Sequence, residues 1–261
     1  MRILFSGDVF GEVGRKAIAK QVPYYRQNHK VDFVIVNGEN ASGGVGISRK
    51  DCQFLLTCGV DVITGGNHSF KQKDIITHIE QEPRLLRPAN FPKKTPGRGY
   101  VIREVYAGVK IAVVSLLCKL FMEQSSSPFE EIDKILANLQ GQAEIIFVDV
   151  HGEATSEKRA LGWYLDGKVA AVIGTHTHVP TADEEVLPKG TAYLTDAGMT
   201  GPYDSVIGIK KELAIRRFTE GVPVKFEPAT QDVRFSGVMI DIDESSGKAN
   251  KIQRIFEKVE V

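Results

Sequence analysis

The chain has 261 residues, enough for one large α/β domain or two small ones. Hydrophobic residues make up 42% and charged residues 25%, which supplies a buried core and excludes a disordered chain, a collagen-like chain and a disulfide-dense mini-scaffold. Lys+Arg total 33 and Asp+Glu total 33, a formal net charge of zero. This argues against a protein built around a nucleic-acid backbone or an anionic membrane surface, leaving only a local basic patch open.

In chain order, Ile3-Leu4-Phe5 is a first short apolar strand, and Gly14 to Asn28 is an amphipathic helix. Val31 to Val36 is a second strand, again ending at a glycine. Ser48 caps a helix through Cys58, Val60 to Ile63 is a buried strand, and Lys71 to Gln81 is a helix that Pro83 stops. Arg84 to Gly99 reads as a loop, and Tyr100–Val105 with Lys110–Leu116 as a hairpin turned at Ala107-Gly108. Ser125-Ser126-Ser127-Pro128 followed by Glu130-Glu131 starts a helix running to about Gln140: hydroxyl caps, proline in the first turn, acids at the positive dipole end. The same serines also read as a linker, but capping better accounts for the proline and the two acids after them. Ile145–Val150 and Val169–Ile173 are strands on either side of a helix from Ser156 to Leu165. Polar–apolar alternation in Gly237–Ile242 and Lys251–Val259 predicts antiparallel strands closing a second sheet. No internal repeat, heptad or low-complexity tract interrupts the pattern, so residues 1–261 read as a single domain.

Cys52, Cys58 and Cys118 show no metal-ligand spacing and suit a reducing compartment. No run approaches the ~18 apolar residues of a membrane span, and a strand begins at once after Met1. The expectation is a soluble, cytoplasmic protein without a membrane partner. Leu116 to Met122 is an apolar run after a strand, open to three readings: core, a cover for an active-site edge, or a contact in a homo-oligomer.

The informative feature is where polar side chains fall. Asp8, Glu39 with Asn40, Asn67 with His68, His151, and His176 with His178 each follow the end of an apolar strand, beside glycines in most cases. In open α/β sheets that edge binds ligands. Any one of them has a bland reading: Asp8 as a helix cap, Gly65-Gly66-Asn67 as a turn, a strand-end histidine as a structural hydrogen-bonder. Four of the six histidines in such places strain coincidence, whereas His29 and His78 read as solvated helix residues. Imidazoles mixed with carboxylates and amide oxygens, and no thiolate, suit Mn, Fe, Zn or Co better than calcium or magnesium. So many donors are used more economically by two metals sharing a carboxylate than by one. Gly43-Gly44-Val45-Gly46 and Gly198 to Tyr203 are candidate pocket walls or simple turns.

The blocks Gly7-Asp8, Gly38-Glu39-Asn40, Gly66-Asn67-His68, His151 and Gly174-Thr175-His176-Thr177-His178 resemble the ordered motifs of the calcineurin-like metallophosphoesterases. Two departures stand out: Phe10 occupies the histidine position of the first block, and Glu39 replaces the aspartate of the second. Together with His151–Lys158 and Asp196–Pro202, these departures resemble the bacterial YmdB family, over essentially the whole chain. The resemblance implies a double β-sandwich flanked by helices, a four-layer α/β/β/α fold. It also implies a phosphodiesterase acting on 2′,3′-cyclic nucleotides with two divalent metal ions, iron or manganese.

Carried over by motif, Glu39 would bridge the metals, Asp8, Asn40 and His178 would complete one site, and Asn67, His151 and His176 the other. His68 would protonate the leaving alkoxide after attack by a metal-bridging hydroxide, or else serve only as a hydrogen-bonder behind the ligands. Two rival readings share these residues. One is a phosphomonoesterase or protein phosphatase on the same core; the other is a regulatory protein that senses a nucleotide with little turnover.

Overall fold

The structure is a computed structural model, and it describes residues 1–106, 108–122 and 125–261. Ala107 of the expected hairpin turn therefore lies outside the described residues.

Strands β1 (Arg2–Ser6), β3 (Phe33–Asn37) and β4 (Val62–Thr64) run parallel, joined by helices α1 (Gly11–His29) and α2 (Arg49–Thr57). Strands β6 (Val109–Leu117), β7 (Ile145–His151) and β8 (Ala171–Thr175) form a second parallel set, joined by α4 (Pro128–Leu139) and α5 (Thr155–Leu165). Their near-continuous apolar runs follow from burial on both faces. Ile3 and Phe5 meet Ile145 and Phe147 between the sheets, whereas Leu4 packs outward in the layer that holds α1. Phe5 and Phe147 touch across that central layer at 5.1 Å between ring centroids. A third cluster packs Val148 and Val150 against Ile132 and Leu161 of α4 and α5. Helix, sheet, sheet, helix: the four-layer fold is as the resemblance implies.

Two short strands, β2 (Asp8–Val9) and β11 (Met199–Pro202), extend the first sheet, giving the order β2-β11-β12-β1-β3-β4. The second sheet is β5 (Tyr100–Tyr106), β6, β7, β8, β10 (Ala192–Leu194) and β9 (Glu185–Val186) in that order. The C-terminal strands β12 (Val233–Asp243) and β13 (Lys248–Lys258) correct the expectation that they close a second sheet. β12 pairs antiparallel with β1, from Arg2↔Asp241 to Ser6↔Gly237, and β13 pairs with β12. Alternation announces an antiparallel strand, but not which long-range edge receives it.

The serine caps act as expected: Ser48 Oγ accepts from the Asp51 amide at 3.1 Å, and Ser127 Oγ from Glu130 at 3.4 Å. Helix α3 (Ile75–Gln81) starts later than Lys71 because residues 67–74 form a turn. Ser69 Oγ donates to the Gly66 carbonyl at 2.8 Å and accepts from its amide at 3.0 Å. His78 is a second correction, buried on α3 rather than solvated. Helix α6 (Lys211–Glu220) had no sequence counterpart; it buries only Ala214 and so carries almost no apolar stripe to read. No helix among the described residues is long and apolar enough to cross a membrane.

Candidate metal centre

Five chain segments bring the expected side chains together at the carboxyl ends of the two parallel sets. Gly7 lets β1 pass so close to Gly198 that an added Cβ would stand 2.1 Å from its carbonyl oxygen. Asp8 follows at once. Asn37 ends β3 and turns the chain, its Oδ1 accepting the Glu39 amide at 3.1 Å. His151 is the last residue of β7, and His176 and His178 follow β8 with φ values of 104° and 65°. Non-glycine residues rarely adopt such left-handed geometry, and where they do it usually serves a site.

Glu39 lies at the centre. Its Oε1 is 3.2 Å from His151 Nε2 and 3.0 Å from Asn40 Nδ2, and its Oε2 accepts the His68 amide at 2.8 Å. On one side, Asn40 Nδ2 reaches His178 Nε2 at 3.1 Å and Asp8 Oδ1 at 3.4 Å, with His178 Nε2 3.8 Å from Asp8. On the other, His151 Nε2 is 3.0 Å from Asn67 Oδ1 and 3.1 Å from His176 Nδ1. The seven side chains thus gather at one carboxylate, with Asn40 linking Glu39 to Asp8 and His178, and His151 linking it to Asn67 and His176. Atoms of Glu39, His151 and His176 lie within 4.8 Å of one another and could hold a metal ion. His68 sits beside the cluster, Nδ1 2.8 Å from Asn40 Oδ1 and 3.3 Å from Glu39 Oε1.

Each imidazole is aimed by a partner on its outer nitrogen. His178 Nδ1 donates to the Ile207 carbonyl at 2.9 Å, leaving Nε2 for the cluster. His151 Nδ1 faces Thr175 Oγ1 at 2.9 Å, and that hydroxyl donates to Asp149 Oδ1 at 2.7 Å. His176 is the reverse case: Nε2 meets Glu153 at 3.2 Å, so Nδ1 faces inward. Such outer partners fix the tautomer and ring orientation of a ligating histidine. Phe10 is buried and packs edge-on against His178, ring centroids 5.6 Å apart. Gly44 and Gly208 close around that ring, since a Cβ on either would reach it at 2.6–2.7 Å.

Thr175, Asp149, Glu153, Ile207 and Phe10 had no assigned part in the site. So too the buried pair Lys158–Asp196, 2.7 Å apart. Lys158 donates to the Thr175 carbonyl at 2.7 Å, and Asp196 accepts from the Thr177 amide at 3.1 Å. Together they hold the turn carrying His176 and His178. A sequence clue existed in the polar Asp149 interrupting an apolar strand, and in Lys158 and Asp196 standing within the two long motif runs. The glycine-rich segments fall elsewhere: Gly44 backs Phe10, and Gly198–Tyr203 is largely strand β11.

The electrostatics suit a cation. Burial raises the Asp8 pKa against the opposing pull of His151 and His178. Burial works against ionised Glu39 too, but the charge and hydrogen bond of His151, then those of His68, hold its carboxyl well below the usual range. Burial pulls His151 down, yet Glu39 and then Asp8 overcome it and lift it to about 9. His176 is pushed down to about 3 by burial and by the charge of His151. His151 Nε2 therefore faces a carboxylate, an amide oxygen and a neutral imidazole nitrogen, three acceptors that one proton satisfies poorly. Two carboxylates, two amides and three imidazoles, with no thiolate, fit divalent cations of the Mn, Fe, Co or Zn kind.

Gly66 supplies a test of this packing. A Cβ there would stand 2.3 Å from Glu39 Oε2 and 2.4 Å from His151 Nε2. Gly66→Ala is expected to weaken metal uptake about 10- to 100-fold with an unchanged circular dichroism spectrum. A metal titration matching wild type would show that this close contact does not set the site.

Against known proteins, the YmdB-like protein family matches residues 4–255. The 2′,3′-cyclic-nucleotide 2′-phosphodiesterase of Bacillus subtilis (strain 168) is 48% identical over 256 residues, covering 98% of this chain and 97% of that protein. A crystal structure of a hypothetical protein from Thermus thermophilus superposes with a TM-score of 0.92 at 40% identity, covering 99% of both chains. That of a novel phosphatase from Mycoplasma pneumoniae gives a TM-score of 0.92 at 35% identity, covering 99% of this chain and 94% of the other.

Proposed function

The chain belongs to the YmdB-like family, and from that membership and the geometry of its cluster we propose that it is a metal-dependent phosphodiesterase hydrolysing 2′,3′-cyclic nucleotides. The Bacillus subtilis relative supports the substrate class. The observation that carries the metal part is the convergence of Glu39 Oε1, Asn67 Oδ1 and His176 Nδ1 on His151 Nε2 within 3.0–3.2 Å. In this reading Asp8, Asn40 and His178 would hold one divalent ion, Asn67, His151 and His176 would hold a second, and Glu39 would serve both, with iron or manganese as the candidate metals. To ligate, Asn40 presents Oδ1 where Nδ2 now stands. The whole of 1–261 acts as one unit, a reading supported by the pairing of β12 with β1.

A metal pair supplies an activated water and neutralises charge on the phosphoryl oxygens. The residues do the rest. As the acid, His68 would keep its Nδ1–H toward Glu39 Oε1, and its Nε2–H is the remaining donor on a residue that lines the adjoining cavity. A hydroxide derived from water forms the new P–O bond as P–O2′ breaks, that proton passes to O2′, and the product is the 3′-monophosphate. The cluster's own carboxylates bar an anion until cations are bound, which reconciles a neutral chain with an anionic substrate.

The test is turnover of 2′,3′-cyclic AMP before and after chelation, with Mn²⁺ or Fe²⁺ added back. The expected result is loss of activity on chelation and its return with metal. Turnover that survives chelation removes the metal reading. Preference for mononucleotides over cyclic nucleotides would replace the diesterase with a phosphomonoesterase on the same core.

A further inference from the structure

The cavity beside the cluster has a volume of about 470 Å³, within the range of small-molecule sites. Three of its lining residues, Asn67, His68 and His176, belong to the site described above. The rest of the lining is of different chemistry: Phe70, Phe91, Phe121 and Met122, with Lys71 among them. Phe70 and Phe91 pack on each other with ring centroids 6.2 Å apart. Phe121 does not share in that packing. It is 87% exposed and holds a left-handed backbone at φ 62°.

A large apolar ring left in water by a strained residue gains nothing from folding. Yet the turn that presents it is firmly held. The Cys118 amide donates to the carbonyl of His151 at 2.8 Å, tying the turn to the end of β7. The Lys119 and Leu120 amides both donate to the buried carboxylate of Glu157, at 2.8–3.0 Å. Glu157 lies on α5 within the long motif that begins at His151, and the metal cluster leaves it without a task. A buried acid thus fixes the backbone turn that leads into an exposed aromatic ring lining the cavity.

We propose that Phe121, with Phe91 and Phe70 of the same cavity lining, is the platform on which the nucleobase of the cyclic nucleotide stacks. This rests on the phosphodiesterase reading above and deepens it. Every nucleobase has a π face, so stacking tolerates any base and favours the larger purines. A nucleotide joins a base to a phosphoryl group through one sugar, and one cavity is likewise lined by both aromatic and proposed metal-ligand side chains. The phosphoryl group lies at His68 and Glu39, while the base reaches the phenylalanines.

The test compares 2′,3′-cyclic AMP with glycerol 1,2-cyclic phosphate, a five-membered cyclic diester that has no base. For Phe121→Ala, KM for 2′,3′-cyclic AMP is expected to rise about 5- to 100-fold, with kcat near wild type. The kcat/KM for glycerol 1,2-cyclic phosphate is expected to stay within about twofold, because that substrate never used the ring. Phe121→Trp should restore the low KM. Saturation-transfer NMR with adenosine adds a readout that needs neither metal nor turnover: the base protons receive saturation from wild type and not from Phe121→Ala. Equal losses on both diesters, or no change on either, would overturn the stacking role while leaving the phosphodiesterase reading in place. Wild-type protein that turns over neither diester would instead overturn that reading, and the base platform with it.

Discussion

Glu39→Ala is expected to lose both metal ions together and at least about 10³-fold in kcat/KM toward 2′,3′-cyclic AMP, about 4 kcal/mol of transition-state stabilisation. The size follows from where the side chain stands. Its Oε1 lies between Asn40 of one group and His151 of the other, so its removal takes a donor from each. Asp8 stays behind, fully buried, near His151, which has lost its main anionic partner. Glu39→Gln keeps the volume and separates charge from packing: it should lose metal almost as completely. Elemental analysis decides the matter, and a variant that keeps two equivalents of metal would end the bridging assignment.

His68→Ala is expected to separate metal binding from chemistry. The contact that His68 makes with Glu39 Oε2 comes from its backbone amide, at 2.8 Å, and alanine retains it. The side-chain contacts to Asn40 Oδ1 and Glu39 Oε1 are lost, so metal affinity should weaken, while metal content at saturating metal should match wild type. Turnover of 2′,3′-cyclic AMP should fall about 10²- to 10⁴-fold, the usual range for a positioned acid. The choice of substrate sharpens the test. An alkoxide leaves badly without a proton, whereas p-nitrophenolate needs little help, so bis-p-nitrophenyl phosphate should lose far less. Equal losses on both substrates would make His68 a positioning residue rather than the acid.

The apolar strands were legible because parallel strands buried on both faces read as unbroken Val, Ile and Phe runs, as in Ile145–Val148. Their termini were legible for the same reason: a polar residue after such a run has to face something. That logic located all seven proposed ligands and His68. It stopped at Asp149, Thr175 and Glu153, because whether a polar residue supports a histidine depends on side chains brought together only by the fold. Asp149 and Thr175 are 26 positions apart yet bonded. The C-terminal strands were recognised but misplaced, since alternation is a property of one strand and partnership a property of two. The apolar run Leu116–Met122, which begins at the end of β6, divides between both its single-chain readings: Leu116, Leu117 and Cys118 are core, and Phe121 and Met122 border the cavity.

The place of β12 between β11 and β1 bears on how the protein is made. As the chain emerges from the ribosome, β1, β3 and β4 are available early, with Asp8, Glu39 and Asn67 at their ends. The free flank of β1 waits for residues 237–241, more than two hundred positions downstream. Pairing over such a separation is slow and leaves an exposed strand edge meanwhile. Nascent chains stalled before β12 should therefore be protease-sensitive at their N-terminal third, so the earliest strand is secured by one of the last.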